Sequence, residues 1–136
     1  MSKFTELATE LRNPHFLSEA LEALGHAPEL HPSGTIITDY DGNPHPQPAL
    51  VVVRKTGDFL ADFGFTKAAD GRFCLVVDDY DQQFRLGPVW MGRLRQTYKE
   101  KETIAMAKAK GYLFRSREVM ETPDGPQVRL QFLVAR

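Results

Sequence analysis

Cysteine is almost missing from this chain of 136 residues, since Cys74 is its one example. An internal disulfide and a cluster of thiolate metal ligands are therefore both excluded. Long apolar runs are missing too: none approaches the roughly 20 residues of a membrane-spanning helix. The first residues reach Glu6 and Glu10 without the apolar stretch of a signal peptide. These absences predict a cytoplasmic protein that does not enter a membrane.

The sequence also lacks a strong excess of either charge, with a net charge of −1. This balance excludes two classes of protein: a globally basic protein that coats nucleic acid, and a strongly acidic protein that mimics nucleic acid. Apolar residues make up 42% and charged residues 26% of the chain, which is typical of a globular protein. The length suits one ordinary domain, so we expect a single domain over residues 1–136.

Sequence motifs of common enzyme sites are missing as well. Neither a G-x-G-x-x-G loop nor a G-x-x-x-x-G-K-[ST] loop is found, and no G-x-S-x-G turn occurs. The four histidines never fall at the i, i+4 spacing by which a helix binds zinc. The sequence therefore predicts no catalytic residue, no metal site and no cofactor, and it favours a non-catalytic protein over an enzyme.

What the chain does have is an uneven distribution of charge. Residues 1–84 carry −7, residues 85–117 carry +7, and residues 118–136 carry −1. The basic segment lies mostly in a long predicted helix, whose predicted outer side gives a candidate docking face of Arg93, Lys99, Lys101 and Lys110. An acidic protein or a second copy could bind there, although an internally neutralised surface would give the same pattern. Segment 85–117, with Tyr98 and Tyr112 to stack bases, is also a candidate for nucleic-acid binding.

Hydrophobic periodicity and turn residues predict nine elements. Asn13 before Pro14 and Gly25 after Leu24 mark the two ends of a helix over 14–24. A second helix runs from Gly87 to about Lys110 and is roughly 35 Å long at 1.5 Å per residue. The predicted strands are 4–11, 35–38, 50–53, 59–65, 73–77, 112–120 and 128–134. The order β-α-β-β-β-β-α-β-β predicts an α+β fold, with two helices packed on one face of a mostly antiparallel sheet.

Two acidic residues of the predicted meander form a candidate polar site. Asp62 is predicted mid-strand, and Asp78 ends the next strand along the chain. Two carboxylates that share a site repel each other unless a cation, an arginine or a proton lies between them. The run from Asp78 to Asp81 could hold a hard cation, but the soluble end of a strand entering a loop explains the run better.

Five short motifs together carry a family resemblance. They are Ser2-Lys3-Phe4, Asp62-Phe63-Gly64-Phe65, Val76-Val77-Asp78, Leu94-Arg95-Gln96-Thr97-Tyr98 and Ala107-Lys108-Ala109-Lys110-Gly111-Tyr112. In order and spacing they resemble the ycf-thirty-five-like proteins, an uncharacterised family first described as a hypothetical reading frame of algal plastids and cyanobacteria. Their domain is the domain of unknown function numbered twelve fifty-seven. The resemblance implies a component of a multi-protein system, because such proteins tend to be encoded near AAA-type ATPases, and it supplies no catalytic residues.

The residues and the resemblance lead to the same functional expectation. We expect a non-catalytic protein-interaction or adaptor module, accessory to an AAA-type ATPase system. Its partner is expected to be a protein, such as that ATPase, or a second copy of the chain. The alternatives are a nucleic-acid-binding module that uses segment 85–117, and a small-ligand or enzyme-like domain.

Overall fold

A computed structural model describes residues 3–134, which form seven strands and three helices. The strands are β1 (Phe4–Ala8), β2 (Pro28–Thr35), β3 (Ala49–Val53), β4 (Phe63–Lys67), β5 (Phe73–Asp78), β6 (Tyr112–Thr122) and β7 (Gly125–Val134). The helices are α1 (Pro14–Ala23), α2 (Asp79–Phe84) and α3 (Pro88–Ala109). None of the helices in this part of the chain combines the length and the apolar composition needed to cross a membrane.

The first five strands form an antiparallel sheet in the order β1-β5-β4-β3-β2. The Asp70-Gly71 turn connects β4 to β5, and Gly71 adopts φ +87°, where a side chain would be strained. Gly64 has a different reason to be glycine, because a Cβ there would lie 2.9 Å from the Ala49 Cβ. Strands β3 and β4 can therefore pack closely at this point.

The core covers both faces of this sheet. On one face, a single buried cluster joins α1 to the first half of α3 through residues Leu17, Ala20, Leu21, Val51, Val53, Phe63, Phe65, Leu75, Val77, Met91, Leu94 and Tyr98. On the other face, Ile37 packs with Ala49, Val52 and Val76. The predicted α+β class, with two helices on one face of an antiparallel sheet, is thus confirmed.

Helix α1 begins and ends as its sequence predicts. The Asn13 side chain accepts hydrogen bonds from the backbone N–H groups of His15 and Phe16, at 2.8 and 3.1 Å. Pro14 occupies the first helical position, where its missing N–H costs nothing. The Tyr98 hydroxyl accepts from the backbone N–H of Asn13 at 3.0 Å and from that of Arg12 at 3.3 Å. These two hydrogen bonds of Tyr98 connect α3 to the start of α1.

The structure corrects four details of the prediction. The strand β4 is 63–67 rather than 59–65, so Asp62 lies before the strand and not in its middle. The second strand is 28–35 rather than 35–38, because an edge strand tolerates Pro28, Pro32 and a bulge. The acidic run after β5 forms the short helix α2 instead of a loop. The C-terminal hairpin β6–β7 forms a two-stranded sheet of its own and does not join the five-stranded sheet among the described residues.

The chain divides into two compact units, residues 1–98 and 99–136. The second contains the end of α3 and the β6–β7 hairpin. Within it, Arg117 of β6 makes two hydrogen bonds to Glu100 of α3, at 2.9 and 3.1 Å. A bulge between Phe114 and Ser116 interrupts the register of β6 against β7. The single domain over residues 1–136 stays a prediction.

Candidate functional site

Helix α2 starts with a side-chain cap from the end of β5. The buried Asp78 carboxylate accepts from the backbone N–H groups of Tyr80 and Asp81, at 2.9 and 3.3 Å. Asp79 and Asp81 lie in the first turn, where the helix dipole favours negative charge. The acidic run is therefore explained by helix initiation.

Asp81 connects this helix to the loop that precedes β4. Its side chain has no exposed surface. Both carboxylate oxygens accept from the Leu60 N–H at 3.0 Å, and one also accepts from the Ala61 N–H at 3.2 Å. Burial raises the pKa of Asp81, while the hydrogen bonds from Leu60 and Ala61 oppose that rise. The carboxylate thus holds the loop against α2.

Aromatic rings and a guanidinium contact one another beside α2. The Arg85 guanidinium carbon lies 5.8 Å from the ring centre of Phe59 and 5.7 Å from that of Tyr80. The rings of Tyr80 and Phe84 are 4.6 Å apart. Phe84 is nonetheless 61% exposed, and Val89 at the start of α3 is 79% exposed. We call these five residues, Phe59, Tyr80, Phe84, Arg85 and Val89, the α2 corner.

A groove opens where α2 is connected to α3. It has a volume of about 240 Å³ and is lined by Leu7, Ala8, Gln82, Leu86, Gly87, Pro88, Met91 and Arg95. Arg95 forms an ion pair with Glu10 at 3.1 Å. Small-molecule sites usually measure about 300–1,000 Å³. The groove is below that range and has room for about one side chain.

A second aromatic group holds the beginning of α3. The Trp90 indole donates a hydrogen bond to Nε2 of His26 at 3.1 Å, so the neutral imidazole carries its proton on Nδ1. Burial lowers the pKa of His26. The Phe63 ring packs edge-on against His26 and Trp90, with centroid distances of 5.5 and 5.9 Å. Phe63 also stacks on Phe59, with the two ring centroids 6.0 Å apart. The group of His26, Phe63 and Trp90 therefore contacts the α2 corner through Phe59.

The two carboxylates of the predicted polar site have structural roles. Asp62 lies just before β4, where it accepts from Nη1 of Arg54 at 3.1 Å and from the Lys55 N–H at 2.7 Å. Arg54 also donates hydrogen bonds to Glu29, and these bonds lower the pKa of the Glu29 carboxyl. Asp78 caps α2 as described. A polar site shared by Asp62 and Asp78 stays a prediction.

The structure places the four residues of the predicted docking face in two different units. Arg93 is exposed in residues 1–98, and Lys99, Lys101 and Lys110 belong to residues 99–136. Lys110 directly follows α3, eleven residues after Lys99 and so on the same side of the helix, whereas Lys101 falls on another side. The Lys99 ammonium contacts Glu102 at 3.2 Å. Their joint use as a docking face stays a prediction.

The α2 corner and Asp81 were missed by the sequence analysis. The sequence did contain two signals for a short helix here. Asp78 precedes Asp81 by three residues, which is the spacing between an N-cap residue and the third residue of its helix. Gly87-Pro88 then marks the start of the next helix, α3. The contacts of Asp81 with Leu60 and of Arg85 with Phe59 had no signal at all, because they join residues 21 and 26 positions apart.

Metal-binding and nucleophilic chemistry find little support in residues 3–134. No group of three or more His, Cys, Asp or Glu side chains in this range is arranged to hold a metal ion. Burial raises the pKa of the Cys74 thiol, which favours its unreactive protonated form.

Comparison with protein families gave a match. The model of a family described as a protein of unknown function (DUF1257) matches residues 20–128, which is most of the chain. No curated protein and no solved structure matched the sequence. The match agrees with the numbered domain that the sequence motifs resemble, and the ycf-thirty-five-like label stays a prediction.

Proposed function

We propose, from the premise that this chain belongs to the DUF1257 family of proteins of unknown function, that it is a non-catalytic protein-interaction module. In this proposal it is an adaptor that works in the cytoplasm as an accessory to an AAA-type ATPase. The observation that carries the interaction role is the α2 corner. The ATPase comes from the family resemblance, and the corner supplies the surface on which such a partner would dock.

The composition of the α2 corner supports a protein partner. Aromatic residues and arginine are enriched at protein interfaces and dominate their binding energy. Tyr80 already contacts both the Phe84 ring and the Arg85 guanidinium, so binding would immobilise few freely rotating side chains. The groove at the connection of α2 to α3, although none of its lining residues belongs to the corner, has room for one side chain. We therefore propose a polypeptide segment with an apolar anchor as the ligand.

The two alternative functions have weaker support. The groove is smaller than a usual small-molecule site, which argues against a small-ligand or enzyme-like domain. In segment 85–117, Arg95 pairs with Glu10, Lys99 with Glu102 and Arg117 with Glu100. Glu100 and Glu102 are already counted in the +7 of this segment, so only the Arg95–Glu10 pair lowers its net charge. The binding test below separates the nucleic-acid alternative from a protein partner.

The test uses the full tagged chain and an extract of its source organism. Proteins bound by the wild type are quantified by mass spectrometry beside those bound by a Phe84→Gln/Val89→Thr variant. Both positions are highly exposed, so the fold should be unaffected. We expect the variant to lose its main partner about tenfold or more, as is typical of interface hot spots.

The matched control is Tyr40→Gln, which also removes an exposed aromatic ring from residues 3–98 but lies outside the α2 corner. It should retain the partner. Equal binding by the wild type and both variants would contradict the proposed docking surface. Salt-sensitive binding of single-stranded nucleic acid, with no protein partner, would contradict the protein-interaction role and favour the nucleic-acid alternative.

A further inference from the structure

The β6–β7 hairpin has two strand edges that pair with no other strand of residues 3–134. It forms a two-stranded sheet, so each strand has a partner on one side only. A two-stranded ribbon is marginally stable in water, and an open strand edge is a template for pairing with another chain. The hairpin therefore has the capacity to accept a further strand.

The two edges of the hairpin differ in their protection. Strand β6 has a bulge beside Arg115, and it carries Arg117 and Glu118, all features that discourage pairing. Strand β7 carries Arg129 as its one charged residue between Gly125 and Val134. Pro126 removes a donor only near the turn. The edge of β7 is therefore the open one.

Side chains of β7 alternate in a way that matches an antiparallel copy of the same strand. Apolar residues occupy every second position, with Val128, Leu130, Phe132 and Val134 on one face. Residues directly opposite each other in a sheet point to the same face. Consider two antiparallel copies of β7 related by a two-fold axis. Their apolar residues lie on the same face of the joint sheet only when the axis passes through a residue, and not when it passes between two residues.

Charge then limits which residue lies on the axis. An axis at Arg129 would place the two Arg129 side chains opposite each other, and like charges in that position repel. An axis at Leu130 places Arg129 opposite Gln131, and an axis at Gln131 places Arg129 opposite Leu133. Neither of these registers brings like charges together. The whole chain carries only −1, so no general repulsion opposes association.

We propose that β7 pairs with β7 of a second copy in antiparallel register, with the two-fold axis at Leu130 or Gln131. The product is a four-stranded sheet in the order β6-β7-β7-β6. The two apolar faces become continuous, and both hairpins gain the third strand that a stable sheet requires. This surface belongs to residues 99–136 and goes beyond the proposed function, which rests on residues 1–98.

The experiment introduces a lysine on the open edge of the full chain and measures its mass by sedimentation equilibrium. Gln131→Lys puts like charges opposite each other in both registers, because the new lysine faces its own copy in one and Arg129 in the other. The matched control is Ser116→Lys, because Ser116 is directly opposite Gln131 within the hairpin. Each variant removes the same Ser116–Gln131 hydrogen bond of 3.0 Å and adds the same charge.

We expect the wild type and Ser116→Lys to reach twice the mass of one chain at micromolar concentrations. Gln131→Lys should weaken dimerisation about tenfold. Gln131→Glu should strengthen the dimer if Leu130 lies on the axis and weaken it if Gln131 does. A monomeric wild type, an equal loss in Gln131→Lys and Ser116→Lys, or no change in either Gln131 variant would overturn the proposal.

Discussion

Replacing Tyr98 by phenylalanine would test how α3 holds the start of α1. The Tyr98 side chain is buried, and its hydroxyl is the acceptor for the backbone N–H groups of Arg12 and Asn13. Tyr98→Phe keeps the ring and nearly all of its volume, so no cavity forms. The substitution leaves two backbone donors without that acceptor just where α1 begins.

The size of the effect follows from those two donors. A buried donor that loses its partner costs about 1–3 kcal/mol. The Asn13 N–H, at 3.0 Å, should bear most of this cost, and the Arg12 N–H, at 3.3 Å, less of it. Because residues at the start of a helix can reach water in part, we expect the free energy of unfolding to fall by about 1–3 kcal/mol in total.

The measurement is urea unfolding followed by tryptophan fluorescence. The chain contains one tryptophan, Trp90, which packs on Phe63 and so reports on residues 1–98. The control is Tyr40→Phe, whose hydroxyl is on an exposed side chain and should change stability by less than about 0.5 kcal/mol. If Tyr98→Phe were as stable as Tyr40→Phe, the assignment of the hydroxyl as an anchor of α1 would be refuted.

Two further predictions concern protonation and the basic segment. Burial lowers the pKa of His26 below 6.5 in the folded state, so the unfolded state binds the proton more tightly. The stability from neutral His26 is present above about pH 6.5 and lost as the pH falls, and a His26→Gln variant should lose less stability between pH 8 and pH 5. An identical pH dependence of unfolding in the two proteins would contradict a neutral, buried His26 in the folded state. Changing Arg93, Lys99 and Lys110 together to glutamate should weaken binding of an acidic partner and flatten its salt dependence. Unchanged affinity and salt dependence would count against these residues as a docking face.

The parts of the fold that the sequence predicts well are those with strong local signals. Asn13-Pro14 and Gly25 bound α1 to within one residue. The apolar run before Arg54 and the Asp70-Gly71 turn locate β3 and the β4–β5 hairpin. In these segments the local preference and the tertiary structure agree, which is the condition for prediction from a single sequence.

The missed parts depend on contacts between distant residues. Helix α2 has six residues, too few to be stable alone, and it is held by the bonds of Asp81 to Leu60 and Ala61. Strand β2 contains Pro28, Pro32 and Gly34, which indicate a loop until the partner strand β3 is known. The α2 corner exists because Arg85 meets Phe59, and periodicity carries no information about such a pair.

Asp81 also has a consequence for how this part of the molecule opens. Its carboxylate is bonded to the loop before β4 and is itself part of α2, so neither segment can leave its place without breaking the same hydrogen bonds. Loop and helix should therefore open as one cooperative unit, and hydrogen exchange at the Leu60 and Ala61 amides should follow that event. A partner that binds Phe84 of α2 should therefore slow hydrogen exchange at the Leu60 and Ala61 amides, which it does not contact.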